Sequence, residues 1–393
     1  MTVRAGLRHN GTMTRLIDLD ANATTRPLPE VIETVARCLN DFPGNPGSRH
    51  GLGRKARQVL EASRESIAAI LGADPEELIF TSGGTEANNL AIAGLARGSS
   101  RTLLLSPGEH PSNLEACRHL VQKNWSLLYF PVDSSGRIRV DDLSVQDWSD
   151  AGLATAMLAH NETGVVQNVE PIAASCRRHG VPLHLDGVQA VGKIPVSFHD
   201  LDATSLSFGA HKFHGPRGIG GLLLRRGVTL TPLQHGGHQE GGRRPGTEPV
   251  ALIAGLAKAL ELWHRDQTQR TKFLGTLRDR LEQQLIERAS PAIVHAKNAP
   301  RLPNTLNLAF PGVDGEALLV ALDLDGVCCS LGSTCASGSM EPAPVLLAMG
   351  VSPDVAKASV RFSLSINNTS DEIDDAINRI VAVVRRLRKI ERL

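Results

Sequence analysis

Between Pro27 and about Arg226, short apolar runs alternate with longer segments of helical periodicity. The apolar runs are Leu78–Thr81, Thr102–Leu105, Ser126–Phe130, Thr155–Leu158, Pro182–Leu185, Ser205–Phe208 and Gly221–Leu224. The helical segments include Glu30–Asn40, Gly53–Leu71, Glu86–Ala96 and Ser112–Gln122. Strands that are apolar throughout and alternate with helices are typical of a parallel sheet covered on both faces. We therefore predict a doubly wound α/β domain with a mostly parallel sheet, whose ligands bind beyond the carboxyl ends of the strands.

The pattern changes after a long amphipathic helix, which we predict over Pro249–Glu287 with at most one break. Further strands are predicted at Asn304–Phe310, Val327–Ser330 and Ser359–Ser365, and helices at Gly315–Asp323, Pro344–Met349 and Asp371–Leu387. This order of elements indicates a smaller α+β domain. We expect residues 1–27 to form an arm that joins the small domain, residues 28–265 the large domain and residues 266–393 the small domain.

The composition argues against several classes of function. The 393 residues carry 42 Lys and Arg against 41 Asp and Glu, a balance that implies no basic stripe for binding nucleic acid. No apolar run approaches the roughly 18 residues of a membrane span, and the first dozen residues lack the apolar core of a secretory signal. We therefore expect a cytoplasmic protein that binds neither nucleic acid nor membranes.

Neither the cysteines nor the histidines have metal-ligand spacing. The six cysteines are Cys38, Cys117, Cys176, Cys328, Cys329 and Cys335, and no two of them form a C-x-x-C pair. His235 and His238 lie in the long polar loop His235–Gly246, but two histidines without a third ligand are more often loop residues. We predict reduced thiols and no metal site.

A glycine-rich turn follows the first predicted buried strand. The strand Leu78–Thr81 runs into Gly83 and Gly84, and a helix then opens with Thr85 and Glu86. Glycines let the backbone approach a ligand, and the free N–H groups at a helix start attract anions such as phosphate. An ordinary turn between a strand and a helix is the alternative, because glycine-rich turns of this kind are common.

A carboxylate and a lysine follow two later strands. Asp186 stands at a predicted strand end, and Lys212 lies between the strand Ser205–Phe208 and a glycine–proline turn. Pyridoxal phosphate (PLP) requires such a pair, because the lysine binds the cofactor covalently and the carboxylate keeps the ring nitrogen protonated. Each residue alone would be read as a surface ion or a turn residue. Together with the glycine-rich turn they favour a PLP site.

One cysteine has the surroundings of a nucleophile. Cys335 lies among small polar residues and glycines in residues 330–339, a composition typical of an exposed loop. Cys328 and Cys329 lie in an apolar run and are expected to pack. An exposed thiol is a candidate nucleophile, so we predict that Cys335 is reactive.

An arginine interrupts a strand that is otherwise apolar. Arg361, within Ser359–Ser365, needs an anionic partner there, and the carboxylate of a substrate would serve in bidentate geometry. An internal salt bridge is the alternative.

Taken together, these residues resemble those of the cysteine desulfurases, PLP enzymes of the NifS and IscS type, from about Leu16 to the end of the chain. The markers are Leu19–Thr25, Gly44–Pro46 with His50, Thr81–Glu86, Glu109–His110, Asn161–Gly164, Asp186 with Gln189, His211–Lys212, Arg243–Glu248 and the loop around Cys335. The resemblance implies the fold type I of PLP-dependent transferases, with a large doubly wound mixed sheet and a smaller α+β domain. It also implies conversion of L-cysteine to L-alanine, with the sulfur left as a persulfide on the enzyme. An acceptor protein would then receive this sulfur, for iron–sulfur cluster assembly or for another sulfur transfer.

The same resemblance assigns roles to residues. Lys212 would hold PLP and move protons, His110 would stack on the ring, Asp186 would pair with the pyridine nitrogen, and Gln189 and Asn161 would lie near the phenolic oxygen. Gly84, Thr85 and His211 would hold the phosphate, with Thr247 of the partner subunit of a homodimer. Arg361 would bind the substrate carboxylate, and Cys335 would attack the substrate sulfur.

The chain departs from the family at the phosphate. Gly209 stands where the family usually has a serine, which removes one hydroxyl contact unless Ser207 or water replaces it. A selenocysteine lyase or another lyase or aminotransferase of the same fold is the alternative, and such an enzyme would not need Cys335. A non-catalytic protein that keeps only the dimer shape is a further alternative, against which Lys212, Asp186, Cys335 and Arg361 all argue.

Overall fold

The computed structural model describes residues 6–9, 12–96, 99–331 and 341–390. The chain begins with β1 (Gly6–His9), β2 (Thr12–Arg15) and β3 (Ile17–Asp18), followed by α1 (Pro29–Asp41) and α2 (Gly51–Ile70). In α1 and α2, apolar side chains recur at helical spacing, and Val31, Ala56, Leu60 and Ile67 are buried. Both helices pack against the long helix described below.

Seven strands form the large sheet. They are β4 (Leu78–Thr81), β5 (Thr102–Leu105), β6 (Ser126–Tyr129), β7 (Ala151–Met157), β8 (Leu183–Asp186), β9 (Ser205–Gly209) and β10 (Gly220–Leu224). The helices between them are α3 (Gly84–Leu95), α4 (Pro111–Val121), α5 (Val145–Asp150), α6 (Val169–His179) and α7 (Phe198–Leu201). The strand order is β4-β10-β9-β8-β7-β5-β6.

The strand pairing confirms the α/β prediction. β10 is antiparallel to β4 and to β9, and the other neighbouring strands are parallel, so the sheet is mixed and mostly parallel. All seven residues of β7 are buried, as expected for a central strand covered on both faces.

The long helix predicted from the sequence is α8 (Val250–Arg288), 39 residues without interruption, so the break that the prediction allowed is absent. Leu256 and Trp263 in its first part lie in the core of the large sheet. Leu277 and Leu285 in its second part lie in a separate core with the C-terminal elements. The boundary near residue 265 stays a prediction, which this change of core along α8 supports.

The C-terminal elements surround a small antiparallel sheet. They are β11 (Ile293–Val294), β12 (Thr305–Ala309), α9 (Gly315–Leu324), β13 (Val327–Cys328), β14 (Ser330–Leu331), α10 (Pro344–Ala348), α11 (Pro353–Lys357), β15 (Ser359–Ser363) and α12 (Ser370–Ile390). The sheet order is β11-β12-β15-β14. β3 pairs with β13, which joins the N-terminal arm to these elements.

The single strand predicted over Val327–Ser330 is wrong. The structure has two short strands there, of which β13 pairs with β3 and β14 pairs with β15 in another sheet. Each strand is set by a partner far away in sequence, and the local apolar pattern does not contain that information. Among the described residues, none of the helices is both long and apolar enough to cross a membrane.

Candidate active site

The predicted site residues lie where four neighbouring strands end. His110 follows β5, Asn161 follows β7, Asp186 ends β8 and Lys212 follows β9. These strands are adjacent and parallel, so their carboxyl ends meet at one edge of the sheet. The strand order reverses beside β5, because β6 lies on one side of it and β7 on the other. Open α/β sheets bind ligands at such a point.

The turn from β4 to α3 has the features of a phosphate cradle. Gly83 adopts a φ of 154°, which residues with a side chain rarely adopt, and the N–H groups of Gly84 and Thr85 follow at the start of the 12-residue helix α3. The Oγ of Ser207 is buried and has no hydrogen-bond partner among the described residues. Because free N–H groups and an unpartnered hydroxyl are what a phosphate group requires, these residues fit the phosphate of PLP.

Three N–H donors hold the Asp186 carboxylate. Its Oδ2 accepts from the Nδ2 of Asn88 at 2.8 Å and the Nδ2 of Asn113 at 3.2 Å, and its Oδ1 accepts from the backbone nitrogen of Val188 at 2.9 Å. Asn113 also donates to the buried carboxyl of Glu109 at 2.6 Å, and burial raises the pKa of Glu109 to about 7. A group that accepts in every hydrogen bond behaves as an ionised carboxylate, the form that pairs with a protonated ring nitrogen.

The Lys212 side chain is half-buried and close to other charges. Its Nζ donates to the carbonyl oxygens of Asn22 at 2.7 Å and Ala23 at 2.9 Å. Burial and the nearby charge of Arg361 lower the pKa of Lys212 to about 8, against the opposing effect of Asp186 and other carboxylates. A lysine with this pKa is partly neutral near pH 7 to 8, as a nucleophilic amine must be.

Two histidines flank this lysine and carboxylate. The Nδ1 of His110 accepts from the backbone nitrogen of Ser112 at 3.1 Å and so caps α4, while burial lowers the pKa of His110. The Nδ1 of His211 lies 3.1 Å from the Oγ1 of Thr24, and burial lowers the pKa of His211 to about 4. Both rings are therefore neutral near pH 7.

Arg361 lies between two carboxylates. Its Nη2 donates to the Oδ1 of Asp20 at 2.8 Å and its Nη1 to the Oε1 of Glu162 at 2.7 Å, so the internal salt bridge that the sequence left open is present. The Nε of Arg361 and the Oε2 of Glu162 are also buried, with no partner in the described part of the chain. Because Nε is an unused donor, the guanidinium keeps the capacity to bind a further carboxylate.

Asn22 links the predicted residues but was not predicted itself. Its carbonyl oxygen accepts from the Nε2 of Gln189 at 3.0 Å as well as from Lys212, and its Oδ1 accepts from the Nζ of buried Lys193 at 2.7 Å. Its Nδ2 donates to the carbonyl oxygen of Asn161 at 3.1 Å. Asparagines are common in polar loops, so only the surrounding motif at Leu19–Thr25 could have drawn attention to this one.

The glycine-rich loop before Thr247 is anchored by a buried ion pair. Glu240 accepts from the Nη2 of Arg64 at 2.6 Å, the Nη1 of Arg64 at 3.1 Å and the backbone nitrogen of Phe80 at 3.0 Å. Thr247 itself is exposed at the surface of the chain. The sequence predicts only a polar loop over His235–Gly246, and gives no local sign that the carboxylate of Glu240 is buried.

Cys328 and Cys329 lie within the described residues, and Cys335 does not. The predicted nucleophile Cys335 falls within residues 332–340, outside the described residues. Cys328 and Cys329 are half-buried, and burial raises the pKa of Cys329 to about 12. Cys329 is therefore a neutral thiol near pH 7, in agreement with the expectation that it packs.

A cavity of about 490 Å³ opens beside the site. His110, Asn161 and Glu162 line one part of it, and Tyr129 and Val345 line another. Its volume lies within the range of small-molecule pockets, so a substrate of the size of an amino acid has room beside His110 and Glu162.

Comparison with known proteins places the chain in a family. Residues 17–375 match the family model described as "Aminotransferase class-V". A curated protein named "Cysteine desulfurase" from Nostoc sp. is 42% identical over 377 residues, covering 95% of this chain and 94% of that protein. Another, "Cysteine desulfurase IscS" from Dictyoglomus turgidum, is 39% identical and covers 96% and 97%. The solved structure titled "NIFS-LIKE PROTEIN" has a TM-score of 0.85 at 34% identity, covering 95% of this chain and all of that one.

Proposed function

This chain belongs to the aminotransferase class-V family and, within it, to the cysteine desulfurases, and we propose that it removes the sulfur of L-cysteine, releases L-alanine and leaves the sulfur on Cys335. One observation carries this proposal: Asp186 and Lys212 lie at the carboxyl ends of the neighbouring strands β8 and β9, and the Nη1 of Arg361, from the small sheet, donates to the carbonyl oxygen of Asn161 at 3.2 Å at the same edge. An amine, an acceptor for a ring nitrogen and an amino-acid anchor are the groups that such a reaction needs.

PLP is the proposed cofactor, and when bound it draws electrons from the substrate and so opens the substrate sulfur to attack. Lys212 would hold it covalently, and the Asp186 carboxylate would pair with its ring nitrogen. The remaining proposed contacts are Gly84, Thr85, Ser207 and His211 at the phosphate, His110 on the ring face, and Asn161 and Gln189 at the phenolic oxygen. The unpartnered Oγ of Ser207 supports the phosphate assignment, since the described part of the chain offers it no other partner.

Arg361 binds the substrate carboxylate. Its unpartnered Nε is the donor available for that contact, while Asp20 and Glu162 hold Nη2 and Nη1. Lys212, with a pKa of about 8, can take up and return a proton near neutral pH. The carboxylate anchor and the proton carrier thus act on neighbouring atoms of one amino acid.

The thiolate of Cys335 attacks the substrate sulfur. A sulfur–sulfur bond forms as the carbon–sulfur bond of cysteine breaks, and the carbon that loses sulfur gains a proton and leaves as L-alanine. Cys335 then carries a persulfide, which an acceptor thiol or two equivalents of a small thiol can reduce. We propose an acceptor protein as the physiological recipient, with iron–sulfur cluster assembly as one route.

A homodimer completes the site. Thr247 is exposed in a single chain, and the anchored loop that carries it can present it to the phosphate of a second copy. We place the protein in the cytoplasm, where a reduced Cys335 thiol is maintained.

The test measures both products from L-cysteine in the presence of a thiol reductant. Equal yields of alanine and sulfide from the wild type, lost in Cys335→Ala while the colour of bound PLP stays, are expected. Cys176→Ala is the matched control, because Cys176 is a buried thiol of the large-sheet core. If Cys335→Ala still released alanine, the proposal would be wrong, and the protein would be a lyase that needs no persulfide, such as a selenocysteine lyase.

A further inference from the structure

A buried histidine stands behind the proposed cofactor site without a role in the reaction described so far. His184 lies on β8 two residues before Asp186, and neither side chain is more than 2% exposed. The Nδ1 of His184 lies 2.9 Å from the Oγ of Ser205, and its Nε2 lies 3.1 Å from the Oδ1 of Asn88. Asn88, on α3, is 1% exposed and contacts Asp186 with the other end of its amide.

Ser205, His184, Asn88 and Asp186 form a row of hydrogen bonds, in which the role of each group as donor or acceptor follows from that of its neighbour. Asp186 is a carboxylate, so the Asn88 atom 2.8 Å from it must be the amide nitrogen, and the amide oxygen then faces His184. His184 must therefore carry its proton on Nε2, and its Nδ1 accepts from the hydroxyl of Ser205. Burial lowers the pKa of His184 to about 3, so the ring is neutral and holds a single tautomer.

The same amide reaches His110. The Nδ2 of Asn88 also donates to the Oγ of Ser112 at 2.9 Å, so the Ser112 hydroxyl proton is free to point to the Nδ1 of His110, 2.8 Å away. That nitrogen accepts from the Ser112 backbone as well, so the neutral ring of His110 carries its proton on Nε2. The oriented amide of Asn88 thus donates to Asp186 directly and acts on His110 through the hydroxyl of Ser112.

We propose that His184 is a positioning residue, which through Asn88 orients the Asp186 carboxylate toward the cofactor ring and fixes the tautomer of His110. This inference rests on the proposed function, because it assumes that PLP faces Asp186. A buried row of polar groups also stabilises the fold, and the test must separate the two roles.

The experiment measures the affinity of the PLP-free apoprotein for PLP, the absorption spectrum of the bound cofactor and the thermal midpoint. His184→Leu should weaken PLP binding by about tenfold or more and shift the absorption maximum, because the Asn88 amide loses its orienting donor. His184→Gln, whose amide nitrogen can still donate to Asn88, should recover part of the affinity. His295→Leu is the matched control, since His295 is 4% exposed and bonded to the hydroxyl of Ser359 in the small domain.

Two outcomes of the comparison between His184→Leu and His295→Leu decide the inference. Similar thermal midpoints in both leucine variants, with PLP affinity lost only in His184→Leu, support it. Equal PLP affinity and equal spectra in the two variants would overturn it. If His184→Leu does not fold, Ser205→Ala keeps the ring packed but removes the hydroxyl that donates to its Nδ1. Ser205→Ala should weaken PLP binding severalfold, and unchanged binding would again overturn the inference. A wild-type apoprotein that binds no PLP would instead overturn the proposed function.

Discussion

Gly209 faces the backbone nitrogen of Gly84 across a narrow gap: a Cβ built on Gly209 would lie 3.3 Å from that nitrogen. Gly84 opens α3, where the phosphate of PLP is proposed to bind. Gly209 also has the extended backbone of a strand, with φ of −139° and ψ of 127°, so a side chain there meets no backbone strain. A side chain at Gly209 is therefore compatible with the backbone there, provided that the Gly84 turn moves slightly.

Gly209→Ser should tighten PLP binding to the apoprotein. The new hydroxyl supplies a phosphate contact worth about 1 to 2 kcal/mol, which corresponds to roughly 5- to 30-fold in affinity. The contact at 3.3 Å is tight, so the Gly84 turn must move by a few tenths of an ångström. Gly209→Ala adds the same Cβ without the hydroxyl and should not tighten binding. Equal affinities of the two variants, measured by titration of apoprotein with PLP, would contradict this phosphate assignment.

The capture of PLP by Lys212 should follow the ionisation of that lysine. Its pKa of about 8 lies below the ordinary value of 10.5, mainly because the side chain is partly removed from solvent, so the nucleophilic neutral form increases as pH rises through 8. The rate of covalent capture, followed by absorbance, should therefore rise between pH 6.5 and 9.5 with a midpoint near 8. Arg361→Gln removes a positive charge that lowers the pKa and leaves carboxylates that raise it, so the midpoint should move upward. A midpoint near 10.5 in the wild type would show that the surroundings of Lys212 do not lower its pKa.

The large domain and the position of its site were predictable because their signals are local. Leu78–Thr81 and Thr102–Leu105 are strands with the predicted bounds, since each is a short apolar run between polar turns. Asp186 and Lys212 were found because parallel strands bring their carboxyl ends to one edge.

The polar groups behind these residues were not predictable in the same way. Lys193 and the Oδ1 of Asn22 are 171 positions apart in the chain yet form a hydrogen bond of 2.7 Å. His184 and Asn88 are 96 positions apart. Such pairs depend on the packing of α3 and the N-terminal arm against the sheet, which no local periodicity contains.

Arg361→Lys should raise the KM for L-cysteine by about tenfold or more. Lysine keeps the positive charge, but a single ammonium group cannot hold Asp20, Glu162 and a substrate carboxylate with the planar geometry of a guanidinium. The control is Arg301→Lys, because Arg301 is also buried and ion-paired, to Glu282 at 2.8 Å, but belongs to no part of the site. Its KM should stay within about twofold of the wild type, whereas the same increase in both variants would assign the effect to a general loss of packing.

Glu240→Ala should destabilise the chain far more than the loss of an exposed carboxylate. Arg64 and Glu240 form a bidentate pair whose side chains are 11% and 2% exposed, and removing the carboxylate leaves the guanidinium and the Phe80 N–H without their acceptor. Breaking a buried pair in this way costs about 3 to 5 kcal/mol of the free energy of unfolding. Glu115→Ala, which removes an ion pair with Arg118 at 61% and 58% exposure, should cost at most about 1 kcal/mol. Urea unfolding of both variants at one protein concentration makes the comparison, since a dimer's stability depends on concentration.

Because Glu240 fixes the loop that carries Thr247, Glu240→Gln should weaken PLP binding in the dimer even where the fold survives. If Glu240→Ala were as mild as Glu115→Ala, the loop would not be anchored by this pair, and the proposed reach of Thr247 to a second subunit would lose its structural support.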